Sequence, residues 1–174
     1  MSSDVARPAL TASDAVPLAI ASGTAQDIAL GFAAPNEFEE VRALIEAGLA
    51  RRWGTFDPAR NRDLIEFAAT YGARPIVVAK TGDGVIVGCG ILTDEALGVA
   101  RIVRMSVAGD RERRGIGSRV LTALIQHARA LGYREIVLET TQTWDSAVAF
   151  YERHGFNETH RAGGDAHFRY RLSP

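Results

Sequence analysis

The sequence predicts a mixed α/β sheet in one domain, with elements in the order β-α-α-β-β-β-α-β-α-β-β. Three observations lead there. The chain has 174 residues and a mass of 18.7 kDa, enough for one domain with a hydrophobic core and short for two. Hydrophobic residues make up 47% and charged residues 24%, the balance of an ordinary globular chain. Runs that alternate every second residue are interleaved with runs of helical period, and Gly, Pro and Asp-Gly separate them.

Residues 1–27 are rich in Ala and Ser and interrupted by Pro8 and Pro17, so they read as a loosely ordered leader before a domain at 28–174. Ala15 to Ala21 is mildly apolar, but Asp4 and Asp14 stand where a signal peptide carries positive charge, and Pro17 breaks the stretch. Ile28 to Phe32 is the first strand. Pro35-Asn36 opens a helix with Asn36 as N-cap and Glu39 three residues on, a capping-box pattern. Phe38, Val41, Ile45 and Leu49 form its apolar stripe. After the loop Arg52 to Phe56, Asp57-Pro58 opens a second helix with proline at the first helical position, and Gly72 ends it.

Ile76 to Ala79 and Val85 to Leu92 flank the turn Thr81-Gly82-Asp83-Gly84, which makes a hairpin. Val99 to Val107 is a further strand. Gly115 to Leu131 is the most strongly periodic helix, with Val120, Leu121, Leu124, Ile125, Ala128 and Leu131 on its buried face and Gly132 closing it. Ile136-Val137-Leu138 has the look of a strand covered on both faces. A helix from about Asp145 to His154 stops at Gly155. In the last strand Ala166, Phe168, Tyr170 and Leu172 alternate with His167, Arg169 and Arg171.

Chemistry concentrates between Val107 and Ser118, where a strand ends, a basic turn follows and a helix begins at Gly115 and Gly117. The first N–H groups of a helix lack intrahelical partners and sit at the positive end of its dipole. Glycines keep Cβ atoms out of the way, and Arg113 and Arg114 add charge, so the segment suits a phosphate or pyrophosphate. Taken alone it also fits a helix start with packing glycines and solvated arginines. A kinase-type P-loop is opposed by the absent lysine, and a dinucleotide fingerprint by Val120 at the third glycine position.

Met105-Ser106-Val107, then Arg113-Arg114-Gly115-Ile116-Gly117-Ser118, then Phe150-Tyr151-Glu152-Arg153-His154-Gly155-Phe156 together resemble the GNAT superfamily of N-acetyltransferases over roughly residues 28–172. The resemblance implies a single-domain, mixed and mostly antiparallel sheet flanked by helices. It implies acetyl-CoA as cosubstrate, with the pyrophosphate on the N–H groups of residues 113 to 118 and the pantetheine arm beside Met105 to Val107. Tyr151 is then the general acid for the departing thiolate, although a tyrosine one turn from Val148 also fits a core position. A backbone N–H at or near Val107 is the expected oxyanion donor. Glu139 is the candidate for the base, with Glu95 as the other carboxylate able to relay a proton through water, although each also fits a solvated surface carboxylate. Trp53 and Phe56 fit either an acceptor pocket or packing.

Two positions depart from the family pattern. Glu112 stands three residues before the first loop glycine in place of glutamine or arginine, an anion that can weaken a phosphate site without abolishing it, since the main contacts are backbone N–H groups. Trp144 replaces an asparagine seven residues before the motif tyrosine and removes a polar contact. Besides an N-acetyltransferase acting on a primary amine of a small molecule or peptide, a non-catalytic acyl-CoA-binding or sensor domain and another phosphate-ligand enzyme stay open.

Lys plus Arg number 20 against 21 Asp plus Glu, so the formal net charge of -1 speaks against nucleic acid or a membrane as partner. No window of the sequence is long and apolar enough for a membrane span. His154, His160 and His167 lack metal-ligand spacing, so no metal is expected. Cys89 is the only cysteine and lies in an apolar run, which suits a small buried side chain in a reducing, cytoplasmic setting. Lys80 is the only lysine, a bias that codon usage explains. The alternating last strand offers an edge for a homodimer.

Overall fold

The computed structural model describes residues 28–173, so the leader expected at 1–27 lies outside the described residues. The elements are β1 (Ala29–Phe32), α1 (Phe38–Trp53), α2 (Arg62–Ile65), α3 (Phe67–Tyr71), β2 (Ile76–Lys80), β3 (Ile86–Ala96), β4 (Val99–Val107), α4 (Ile116–Ala130), β5 (Glu135–Thr141), α5 (Asp145–Arg153), β6 (Asn157–Ala162) and β7 (Asp165–Arg171). They build one seven-stranded sheet in the order β1-β2-β3-β4-β5-β7-β6. Every pairing is antiparallel except β4 with β5. The expected mixed, mostly antiparallel fold is the observed one.

Apolar side chains split between the two faces of this sheet. Ile136, Leu138, Phe168 and Ala100 pack with α4 and α5 on one face; Val78, Cys89 and Ile91 pack with Val41, Ile45, Leu64 and Phe67 on the other. Glycine decides how close α4 comes. A Cβ on Gly88 would lie 2.6 Å from Ile116 Cγ2, and one on Gly90 would lie 2.5 Å from Met105 Sδ and 2.7 Å from Leu124 Cδ1.

Several local readings are corrected. Asn36 does not cap the first helix: Pro35–Glu37 is a 3-10 turn, and Glu37 Oε2 accepts the Ala34 N–H at 2.8 Å. Glu37 also pairs with Lys80, which ties this turn to the end of β2. The second helix is broken. Asp57 Oδ1 takes the Ala59 N–H at 2.9 Å over a 3-10 turn at Pro58–Arg60, and α2 and α3 are separated at Glu66, whose φ and ψ are -102° and 38°. The strand at Ile136–Leu138 is longer and covered on one face only, with Glu135 and Glu139 turned away from the buried Ile136 and Leu138. The last strand, β7, lies between β5 and β6, so among the described residues the edge at that end belongs to β6.

One irregularity positions everything that follows. Gly90 on β3 faces two residues, Arg104 and Met105, on β4, and Arg104 adopts φ 56°, so β4 carries a bulge. β4 pairs with β5 only at Val99↔Glu135, Ala100↔Ile136 and Arg101↔Val137. Past that point the two strands part, and a gap opens toward Val107.

Candidate active site

The gap lies beside the glycine loop. After β4, a 3-10 turn at Gly109–Arg111 leads to Arg113 at φ 63° and Gly115 at φ 77°, two left-handed residues that reverse the chain into α4. The first α4 N–H to find a helical acceptor is that of Arg119, which donates to Gly115 O at 3.1 Å. The N–H groups of Gly115, Ile116, Gly117 and Ser118 therefore form an anion cradle at the positive end of a 15-residue helix. A Cβ on Gly115 would meet nothing within 4 Å, whereas Gly117 packs between Phe150 and Val107. Arg113 and Arg114 are exposed around this cradle. Its shape and charge fit a pyrophosphate.

Glu112 does not face the cradle alone. Its Oε1 accepts from Arg51 Nη2 at 2.8 Å, and the same nitrogen donates to Val107 O at 3.1 Å. The anion that departs from the family pattern is thus spent on anchoring the end of α1 to the end of β4. Ser106 Oγ donates to Leu44 O at 3.2 Å and strengthens that contact.

The backbone at Val107 faces the gap. The Ala108 N–H donates to Val87 O at 2.9 Å, which makes Gly88↔Val107 a non-hydrogen-bonded pair. The Val107 N–H consequently points away from β3, toward the space that β5 has left. Met105, two residues earlier, turns its side chain toward Gly90 and α4.

Tyr151 and Glu139 lie on opposite faces of the sheet. Tyr151, on α5, is buried among Phe150, Phe156 and Phe168, and shares their cluster with Leu138. Burial pushes its phenol up to about 12, and the charge of Arg52 pulls the other way. Glu139 projects from the other face of β5, where it accepts from Arg101 Nη1 and lies 3.6 Å from His167 Nδ1. Glu95 is bound to the same guanidinium at 2.7 and 2.9 Å, and Arg101 holds its carboxyl below the usual carboxylate range. Glu95 borders the paired end of β4, however, whereas Glu139 stands two residues beyond the last β4–β5 pair. Glu139 is the carboxylate beside the gap.

Across the gap's open end, Trp53 at the end of α1 meets Trp144 at the head of α5, their ring centroids 5.3 Å apart. Trp53 remains 55% exposed and lines the mouth, while Phe56 is half-buried against the α1–α3 core. Arg104 adds a second anchor: its guanidinium holds Asp63 through two bonds of 2.8 and 2.6 Å and Asn61 at 2.9 Å, and Tyr71 donates to Asp63 at 2.7 Å. Sequence reasoning missed Arg51, Arg52 and Arg104, because their partners lie across tertiary contacts that spacing does not encode. Among the described residues no group of three or more His, Cys, Asp or Glu side chains is placed to hold a metal ion. No described helix is long and apolar enough to cross a membrane.

The glycine loop, the strand gap and the helix bearing Tyr151 all fall inside a match to the acetyltransferase (GNAT) family, which spans residues 39–156. The chain belongs to that family. A curated relative, "IAA acetyltransferase" of Azospirillum brasilense, is 33% identical over 122 residues, covering 68% of this chain and 77% of the relative. Among solved structures, a GNAT acetyltransferase from Staphylococcus aureus Mu50 aligns with a TM-score of 0.74 at 19% identity, over 84% of this chain and 99% of that one. The PaiA N-acetyltransferase of Thermoplasma acidophilum, solved in complex with coenzyme A, aligns with a TM-score of 0.71 at 14% identity, over 84% and 99%. These likenesses extend the GNAT fold over nearly the whole described chain.

Proposed function

We propose that this GNAT acetyltransferase moves an acetyl group from acetyl-CoA to a primary amine by direct attack on the thioester. The observation behind this is the β4–β5 gap, with an anion cradle at one side, the Val107 N–H turned into it, and an acid and a base on its opposite faces. The coenzyme A bound by the PaiA relative agrees with it. Acetyl-CoA supplies the acetyl carbon: the amine nitrogen forms the new C–N bond, the C–S bond breaks, and the thiol leaves.

The chain's residues serve that exchange as follows. The N–H groups of residues 113 to 118, with Arg113 and Arg114, receive the pyrophosphate, and the β4 segment Met105 to Val107 receives the pantetheine arm alongside it. The Val107 N–H donates to the thioester oxygen as negative charge gathers there. Tyr151, kept protonated by its burial, gives its proton to the departing sulfur. Glu139 takes the proton that the amine loses, directly or through one water.

The acceptor is a small-molecule or peptide amine. Thiol release from acetyl-CoA, followed with a panel of amines, amino acids, polyamines and peptides, tests the reading. Turnover with at least one acceptor is the expected outcome. Tight acetyl-CoA binding with no turnover on any of them would replace it with an acyl-CoA sensor.

A further inference from the structure

Three arginines along the gap are held by carboxylates: Arg51 by Glu112, Arg101 by Glu95 and Glu139, and Arg104 by Asp63. Arg52 differs. Among the described residues no carboxylate pairs with it, and its Cζ lies 4.7 Å from the centroid of the Trp144 ring. A guanidinium over an aromatic face keeps its in-plane N–H donors, because the attraction is to its charge. That planar fork matches a carboxylate.

Next to it, Trp53 leaves 55% of its surface uncovered while touching Trp144 at a tilt, with an interplanar angle of 56°. The contact bridges the gap's mouth, since α1 ends against Val107 and Trp144 caps the head of α5 three residues past the end of β5. An exposed indole in the wall of a site is a surface for a flat apolar group.

We infer that the amine acceptor is an aromatic α-amino acid, its carboxylate taken by Arg52 and its ring laid on Trp53. The inference rests on the acetyl-transfer reading above and adds the class of acceptor. The charge of Arg52 reaches Tyr151, so a carboxylate held there sits near the reacting centre. An amine one carbon from that carboxylate is then delivered to the thioester, whereas a polyamine would bring a second cation against Arg52.

Both tryptophans of the chain, Trp53 and Trp144, belong to this cluster, so its tryptophan fluorescence reports on the mouth alone. L-Phenylalanine, phenethylamine and L-alanine are titrated into the CoA-saturated protein. L-Phenylalanine is expected to give a saturable change at least tenfold tighter than phenethylamine, which lacks the carboxylate, and than L-alanine, which lacks the ring. Arg52→Gln should erase the first advantage and Trp53→Leu the second, with Trp144 left as reporter and CoA binding kept as the check on folding. Equal affinity for L-phenylalanine and phenethylamine, an undiminished preference in Arg52→Gln, or no saturable response would overturn the inference. Because the readout is binding, saturation by L-phenylalanine without thiol release removes acetyl transfer and leaves this site standing. Turnover of other amines with no preference for L-phenylalanine does the reverse.

Discussion

Tyr151 and Lys80 show how one side chain's surroundings set what it does. A phenol raised to about 12 stays protonated through the neutral and mildly alkaline range, so the acid proposed for the leaving sulfur is present there in full. Tyr151→Phe should lower kcat by about 100-fold or more while the Kd for acetyl-CoA moves by less than about twofold; an unchanged kcat would take the role away. Lys80, the only lysine, has a structural partner in Glu37, whose carboxyl it holds below the usual range together with the Ala34 N–H. A depressed carboxylate contributes stability that is full above its unfolded pKa of about 4.3 and is lost as pH falls through the folded value. Lys80→Met should therefore lower Tm by about 2–4 °C at neutral pH, and the difference from the parent protein should close on acidification. A gap in Tm that persists in acid would assign the loss to packing instead.

At the scale of elements, legibility followed the range of the interactions that make each one. α4, the β2–β3 hairpin and the Arg113–Gly117 loop are written in local signals, periodicity and glycine placement, and they lie where the sequence puts them. The helix expected from Asp57 to Gly72 broke because Asn61 and Asp63 are drawn to Arg104, about forty residues away. Nothing near position 61 announces that bond. The same limit hid Arg51 from Glu112 and left Trp53 undecided between pocket and core. It also explains the mistaken edge: alternation shows that β7 has one buried face but not which strands flank it. Since Arg104 also forms the β4 bulge, it couples the Asn61–Asp63 segment, on the proposed acceptor side, to the strand beside the gap. Arg104→Met should cost about 1–3 kcal/mol of stability and leave α2 less firmly held. KM for the amine should rise several-fold while the Kd for acetyl-CoA stays nearly constant, read from initial rates and direct titration. Equal losses in both would mean that the bulge, rather than the loop, was disturbed.

In the proposed reaction the sheet stands between the two substrates. The cradle, α4, α5 and Tyr151 occupy one face and α1, Trp53, Arg101 and Glu139 the other; the gap between β4 and β5 opens through the sheet between them, and Trp53–Trp144 and Arg51–Glu112 tie the two sides together at its mouth. On the proposed reading the sites lie on opposite faces, so both substrates are bound together and the amine meets the thioester through the gap. A covalent acetyl-enzyme would need a nucleophile there. Cys89 is no candidate: it is fully buried in the α1-side core, burial pushes its thiol up to about 12, and a thiol so raised is almost wholly protonated at neutral pH. Initial velocities measured over a grid of acetyl-CoA and amine concentrations should give intersecting lines in double-reciprocal form. Parallel lines, the signature of ping-pong exchange, would require an acetylated residue and would sink direct attack. Cys89→Ala separates the two cases again. It should retain kcat and lose only stability, because its sulfur fills space beneath the β4 bulge, 3.7 Å from Arg104 O, and has no part in the transfer.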